Sequence, residues 1–349
     1  MGFQIKVRPG GRSFTAEAGE ILLDAALRQG VMLPHGCRDG ACGACRCRVL
    51  AGTVVAGRQT FALGAAEREA GFALLCQARA LGDLEIECQE VRSERELPVR
   101  SLPVRVERLT RLAPDVMRLE LRLPAQEVLE YRPGQYIDIL LKDGRRRAFS
   151  LASVAQAGAL LELHVRQVPG GVFTGQVFST LRERDILRIR GPYGQFGMRR
   201  EGERDRPALL VAGGTGFAPL KAIIEQALAD GLRQPIFLYW GGRRRVDLYL
   251  AELAAQWAAA EPRLHFVPVL SEADDDPAWE GRRGFVHLAA MADHPDMSAC
   301  EAYVCGPPPL VAAARRDFVG QCHLSSEAFF SDAFELSNDA PAAPSHLPG

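Results

Sequence analysis

Three cysteines in the run Cys37-Arg-Asp-Gly-Ala-Cys42-Gly-Ala-Cys45, with a fourth, Cys76, further along, constrain this chain more than any other feature. This is the C-x₄-C-x₂-C…C spacing with which four thiolates enclose a [2Fe–2S] cluster. A loop that wraps so small a body must turn tightly. Gly36, Gly40 and Gly43 supply that backbone freedom and let amide N–H groups point at the sulfurs. The competing use of four cysteines, a structural zinc site, is usually built from paired C-x₂-C knuckles, and Cys76 lacks a close partner of that kind. The chain has nine cysteines, an odd number, in 349 residues long enough to bury sizeable cores without staples. Disulfides are therefore not expected. Cys47, Cys88, Cys300 and Cys322 read as buried core thiols, and a reducing, cytoplasmic setting follows.

Charge narrows the function classes. With 42 basic against 43 acidic residues the net charge is −1, which gives no global basic surface for nucleic acid. No early apolar run follows a basic start, and no uninterrupted stretch of about 18 apolar residues reads as a membrane span. Only Lys6, Lys142 and Lys221 among the basic residues are lysines.

The organisation changes twice along the chain. Residues 1–92 open on an alternating strand at Phe3–Arg8, pass through a helical stretch stopped by Gly30, and close on the alternating strand Leu84–Cys88. Glu90–Glu96 reads as a charged linker. Residues 99–200 carry short strands separated by Gly and Pro turns, the pattern of a small antiparallel barrel. From 205 to 336 strands alternate with helices, which implies a parallel α/β sheet. The Ala/Pro-rich residues 337–349 are expected to be a disordered tail.

The stretches His35–Cys45 and Leu75-Cys-Gln-Ala resemble the plant-type ferredoxin family, which implies a β-grasp fold carrying one electron at low potential. In the second segment, Arg147-Ala-Phe149-Ser150, Gly170-Gly171-Val-Phe-Thr174 and Gly191-Pro-Tyr-Gly194 are weak signals singly. An arginine can clamp pyrophosphate, a nearby serine can reach a flavin edge, and glycines before a helix start make an anion site. In this order they resemble the flavin domain of the ferredoxin–NADP⁺ reductase family, a Greek-key barrel. The resemblance assigns Arg147, Phe149 and Ser150 to FAD, with Gly171 and Thr174 at its phosphates; FAD rather than FMN rests on domain order. Phe149 stands where the family more often has tyrosine.

In the third segment Gly213-Gly214-Thr215-Gly216-Phe-Ala-Pro joins a strand to a helix, so a pyrophosphate could approach its backbone. Tyr239-Trp-Gly-Gly-Arg243 and Cys305-Gly306-Pro307-Pro308 end two later strands, beyond whose carboxyl ends ligands of open α/β sheets sit. These resemble the same family's nicotinamide motifs, which implies that Cys305 lies against the nicotinamide near its reacting carbon. Ser331-Asp332-Ala-Phe334 resembles the family's carboxyl ending, whose aromatic covers the flavin; Phe334 matches it, and Asp332 replaces the commoner glutamate. Ser271 is followed by Glu272 where NADPH users tend to place arginine. An acid there would repel a 2′-phosphate, so NADH is expected, with NADPH still open because Arg243-Arg-Arg245 could bind that phosphate.

The order of the three segments resembles the iron–sulfur flavoprotein reductase components of multicomponent oxygenases and of deoxysugar dehydration. That resemblance implies electron transfer from NADH through FAD and the [2Fe–2S] cluster to a terminal enzyme, a protein partner. A monomer without nucleic-acid or membrane partners is expected. Two other readings stay open at this point: a reductase of free flavin or another small acceptor, and a redox-sensing metal-binding protein. No histidine is needed as a general base, so His35 and His164 are expected to be structural.

Overall fold

The computed structural model describes residues 2–36, 38, 40, 42–57, 62–88, 97–156, 158, 160–198, 206–273 and 276–334. Cys37 and the expected tail lie outside them. The first module contains β1 (Gly2–Arg8), β2 (Ser13–Glu17), α1 (Leu22–Arg28), β3 (Arg46–Ala51), β4 (Val54–Val55), α2 (Ala65–Glu69), β5 (Phe72–Leu74), β6 (Arg79–Ala80) and β7 (Leu84–Glu87). Five strands form a mixed sheet in the order β2-β1-β7-β3-β5, and β4 pairs with β6 apart from it. Strand alternation turns Ile5, Val7 and Ile86 inward, and α1 lays Leu22, Leu23, Ala25 and Ala26 over them: the β-grasp arrangement.

One expectation fails here. Cys47 and Cys88 are joined as a disulfide. The antiparallel register places Arg48 opposite Glu87, so the next step along each strand sets Cys47 against Cys88, with Cα atoms 5.1 Å apart. Cysteine spacing along the chain carries no trace of that register. Cys300 and Cys322 are buried free thiols, as expected.

The second module consists of β8 (Arg100–Ala113), β9 (Val116–Arg122), β10 (Tyr136–Leu140), β11 (Arg146–Ser150), β12 (Leu161–Arg166), α3 (Val172–Ser179) and β13 (Ile186–Tyr193). Its sheet runs β11-β10-β13-β8-β9-β12 with every pair antiparallel. A bridge between Leu151 and Leu163 brings its two edges together into a barrel. Val106, Leu119, Ile137, Ile139 and Leu163 fill the interior, with α3 inserting Phe173.

The third module holds β14 (Ala208–Gly213), α4 (Phe217–Ala229), β15 (Ile236–Gly242), α5 (Ala251–Ala260), β16 (Leu264–Leu270), β17 (Arg282–Arg283), α6 (Val286–Asp293), β18 (Glu301–Gly306), α7 (Pro308–Gln321) and β19 (Phe329–Ala333). All pairs in its sheet, β17-β16-β15-β14-β18-β19, are parallel. The chain steps outward from β14 to β17 and then returns to lay β18 beside β14. The switch point therefore falls between β14 and β18, where ligands of such sheets bind. No helix among the described residues is long and apolar enough to cross a membrane.

The second and third modules join through buried charge. Lys221 on α4 donates to the Ala152 carbonyl at 3.0 Å and pairs with Glu225 at 2.9 Å. His164 on β12 bridges Glu162 at 2.7 Å and the Tyr249 hydroxyl at 2.9 Å. Burial holds the His164 ring below the ordinary imidazole pKa despite Glu162.

Candidate functional site

A continuous cavity of about 2290 Å³ opens where the three modules meet. Its walls include Cys42 and Arg46 from the first, Ser150 and Thr174 from the second, and Gly213 and Phe334 from the third.

At the nucleotide end, β14 stops at Gly213, and Gly214–Gly216 make one tight turn before α4 begins. Close approach explains the glycines. A Cβ on Gly216 would stand 2.1 Å from the Cys305 carbonyl oxygen, and Gly214 has φ +53°. Trp240 Nε1 donates to the Gly214 carbonyl at 2.9 Å while its ring stacks on Phe217 at 3.8 Å, so the turn is held from beneath. Thr215 and Pro307 line the same wall.

Arg166, at the end of β12, packs against this turn: a Cβ on Gly214 would stand 3.5 Å from its guanidinium carbon. Nη1 lies 3.4 Å from Asp115 and 3.7 Å from Asp247, while Nε and Nη2 are buried with no hydrogen-bond partner among the described residues. Buried, unsatisfied guanidinium donors beside the backbone of this turn suit an anionic group. Sequence reasoning missed Arg166, whose strand carried no motif. It also missed Phe285, which is 62% exposed on the cavity wall just before α6. Exposure is what makes that ring notable, and sequence does not reveal exposure.

Cys305 ends β18 as expected, directly opposite Asp332 of β19, and Gly306 follows with φ +149°. Its side chain is fully buried in the core and does not itself line the cavity. Burial, with Asp332 adding to it, pushes the thiol's pKa well up. Arg243 is more open, pairing with Asp247 at 3.5 Å.

The flavin-domain residues gather on the neighbouring wall. Ser150 Oγ donates to Asp332 Oδ2 at 3.4 Å, joining the barrel to β19. Phe334 follows, its N–H bonded to the Gly306 carbonyl at 3.0 Å. Phe149 packs 5.4 Å from Phe173. Arg147 donates to the Arg146 carbonyl, and its charge is disfavoured first by burial and then by Arg145, a strain that an anion would relieve. Gly171 caps α3 and Thr174 Oγ1 accepts from the Val168 amide at 3.2 Å, fixing the turn that opens this helix toward the cavity.

In the cysteine loop, Cys45 and Cys76 face each other with sulfurs 3.2 Å apart, and Cys42 Sγ accepts the Ala44 N–H at 3.5 Å. Two cysteine sulfurs drawn this close, with an amide donor aimed at a third, fit an iron–sulfur cluster. The structure does not gather Cys42 with the other two: no group of three potential metal-binding side chains occurs among the described residues. Cys42 instead belongs to the hydrophobic core cluster of the third module.

Comparison with known proteins matches each module. Residues 5–81 match the 2Fe-2S iron–sulfur cluster binding domain, 103–198 the oxidoreductase FAD-binding domain and 210–316 the oxidoreductase NAD-binding domain. The chain is 35% identical over 334 residues to CDP-6-deoxy-L-threo-D-glycero-4-hexulose-3-dehydrase reductase of Yersinia pestis, covering 96% of this chain and 99% of that one. It is 37% identical over 347 residues to the phenol 2-monooxygenase reductase component of a Pseudomonas species, covering 97% and 96%. Among solved structures it resembles the Amycolatopsis cytochrome P450 reductase GcoB, with TM-score 0.75 and 37% identity over 95% of this chain and 98% of that one. With cysteine loop, barrel and parallel sheet around one cavity, the chain belongs to the iron–sulfur flavoprotein reductases that combine [2Fe–2S], FAD and NAD domains and carry electrons to a partner enzyme.

Proposed function

We propose that the terminal acceptor is a separate oxygenase component or deoxysugar dehydratase, the two kinds of system named among the relatives. We further propose that the modules divide as 1–92, 99–200 and 205–336, and that the protein works as a cytoplasmic monomer without nucleic-acid or membrane partners. The observation that carries the electron-transfer reading is the shared cavity, to which every module contributes a wall. When bound, the flavin links the two-electron chemistry of a nicotinamide to the one-electron chemistry of a cluster.

The roles proposed for this chain's residues follow from their places. Gly213, Gly214, Thr215 and Gly216 present backbone to a nucleotide pyrophosphate, with Arg166, packed against Gly214, to neutralise it. Pro307 closes the end of the nicotinamide pocket, with Cys305 and Gly306 as the buried strand end behind it, and Phe334 covers the flavin face. Phe285 offers a flat surface for the adenine. Arg147, Gly171 and Thr174 take the FAD phosphates, while Ser150, oriented by Asp332, holds the isoalloxazine edge beside Phe149. Cys37, Cys42, Cys45 and Cys76 hold the cluster.

NADH is favoured over NADPH because the three arginines near the ribose end are already occupied. Arg243 pairs with Asp247, Arg244 with Glu272 at 3.4 Å, and Arg245 with Asp276. Anaerobic titration with NADH tests the whole reading: both flavin and cluster absorbance should bleach, and a cluster that stays oxidised beside reduced flavin would refute it.

A further inference from the structure

The carboxyl-terminal strand β19 touches both other modules with consecutive side chains. Neighbouring residues of a strand point to opposite faces. Asp332 turns to the barrel and meets Ser150 at 3.4 Å. Ser331 turns the other way and donates from Oγ to the backbone carbonyl of Cys42 at 2.9 Å. Ser331 is buried, 8% exposed, and its strand is pinned to β18 with Val304 opposite Ser331 and Cys305 opposite Asp332.

The cysteine loop is fitted closely to this strand. A Cβ on Gly36 would fall 2.9 Å from Cys42 Sγ and 3.6 Å from the Ser331 carbonyl oxygen. Cys42 itself is built into the third module's core rather than its own. A second tether leaves the same loop: Arg38 lies over the Tyr193 ring of the barrel at 5.2 Å while paired with Asp24 at 2.7 Å. Apolar packing holds the loop near the cavity but leaves it free to slide. The hydrogen bond from Ser331 to the Cys42 carbonyl is directional and fixes which way that residue faces.

We propose that Ser331 is a positioning residue for electron transfer: it fixes the Cys42 side of the cysteine loop against the strand that also orients the flavin-pocket serine, making Cys42 the entry side of the cluster. This rests on the reading of Cys42 as a cluster ligand. The step served is the passage of one electron, in which the reduced flavin is oxidised by one electron and one ferric ion of the cluster becomes ferrous, with no bond to either cofactor made or broken. Ser331 carries no charge and touches neither cofactor pocket directly. Its effect is on placement alone.

The test uses the fully loaded full-length protein and the variants Ser331→Ala, Ser331→Val and Ser331→Thr. Anaerobic stopped-flow mixing with NADH separates flavin bleaching from cluster bleaching. Flavin bleaching is expected to stay within about twofold of wild type, because the nucleotide pocket is untouched. Cluster bleaching is expected to slow by about tenfold or more in the valine variant, measurably in the alanine variant, and to return in the threonine variant, which keeps the hydroxyl. Hydrogen–deuterium exchange gives a readout apart from activity: amides of Ala44–Arg46 should exchange faster in the alanine and valine variants than in wild type. Wild-type cluster bleaching in both the alanine and valine variants would overturn the proposal. So would loss of cluster absorbance in them, since Ser331 would then act in cluster retention. Should valine prevent folding, the smaller alanine decides alone. If NADH fails to bleach the cluster in the wild type, it is the electron-transfer reading itself that falls.

Discussion

Gly216→Ala is the most demanding single change the site predicts. The new methyl would stand 2.1 Å from the Cys305 carbonyl oxygen, 2.5 Å from its carbon and 2.9 Å from the Gly306 nitrogen. All three are backbone atoms of the neighbouring strand end, so no side-chain rotation relieves the clash. Either the Gly214–Gly216 turn or the Cys305–Gly306 corner must retreat by about 1 Å to reach ordinary contact. Overpacking of this kind costs about 1–3 kcal/mol in stability. On the proposed placement of the nicotinamide beside this turn and corner, the functional loss should be larger than the loss in stability. A displacement of about 1 Å can cost about 10²-fold in a positioned reaction. We expect the NADH-dependent flavin bleaching rate to fall by about that factor, with Kd for NADH rising roughly tenfold, equivalent to about 1.4 kcal/mol. Anaerobic stopped-flow across a range of NADH concentrations gives both numbers. Gly175→Ala is the control: it lies within α3 with nothing near the added methyl, and should stabilise the protein by roughly 0.5–1 kcal/mol. Bleaching within about threefold of wild type in Gly216→Ala, with unchanged Kd, would refute the argument that the closeness of turn and corner is what aligns the nucleotide.

Other outcomes follow from particular contacts. Glu272→Arg removes the partner of Arg244 and adds a cation at the ribose end, so kcat/KM should shift toward NADPH by about tenfold or more, and an unchanged NADPH/NADH ratio would remove Glu272 from specificity. Cys45→Ala, within the first module's core, should abolish cluster absorbance and cytochrome c reduction while ferricyanide reduction at the flavin persists; surviving cytochrome c reduction would mean electrons leave by another route. His164, His287 and His294 are all held below the ordinary imidazole value of 6.5, chiefly by burial. The unfolded chain then takes up protons that the folded chain refuses, so stability should decline as pH falls below about 6.5, not as it rises. Melting temperatures measured from about pH 7 to about pH 5 should drop, and His164→Gln should flatten the slope; a flat profile in the wild type contradicts the burial argument.

What could be read from the sequence was whatever rests on local chemistry. The cysteine spacing pointed to the iron–sulfur module that residues 5–81 match, and Gly216 sits where a Cβ would meet the Cys305 backbone. The contacts set by tertiary register were not legible. Cys47 and Cys88 are opposite only because of how β3 pairs with β7. The segment Phe329–Ala333 reads as a terminal motif, yet it is the sixth strand of the sheet, and its strand geometry is what sends Ser331 and Asp332 to different modules. Nor does the cysteine spacing reveal that Cys42 is 3% exposed and belongs to the core cluster of the third module. Arg166 escaped notice because a single basic residue ending a strand acquires meaning only from what it faces.

The scarcity of lysine gives the molecule a built-in reporter. Besides the amino terminus its primary amines number three, one in each module: Lys6 and Lys142 are exposed, whereas Lys221 is 6% exposed at the seam between barrel and nucleotide sheet. An amine-reactive reagent should therefore modify the first two quickly and the third only when the seam parts. Mass spectrometry of the Lys221 peptide would time that opening in the native chain, with no engineered probe.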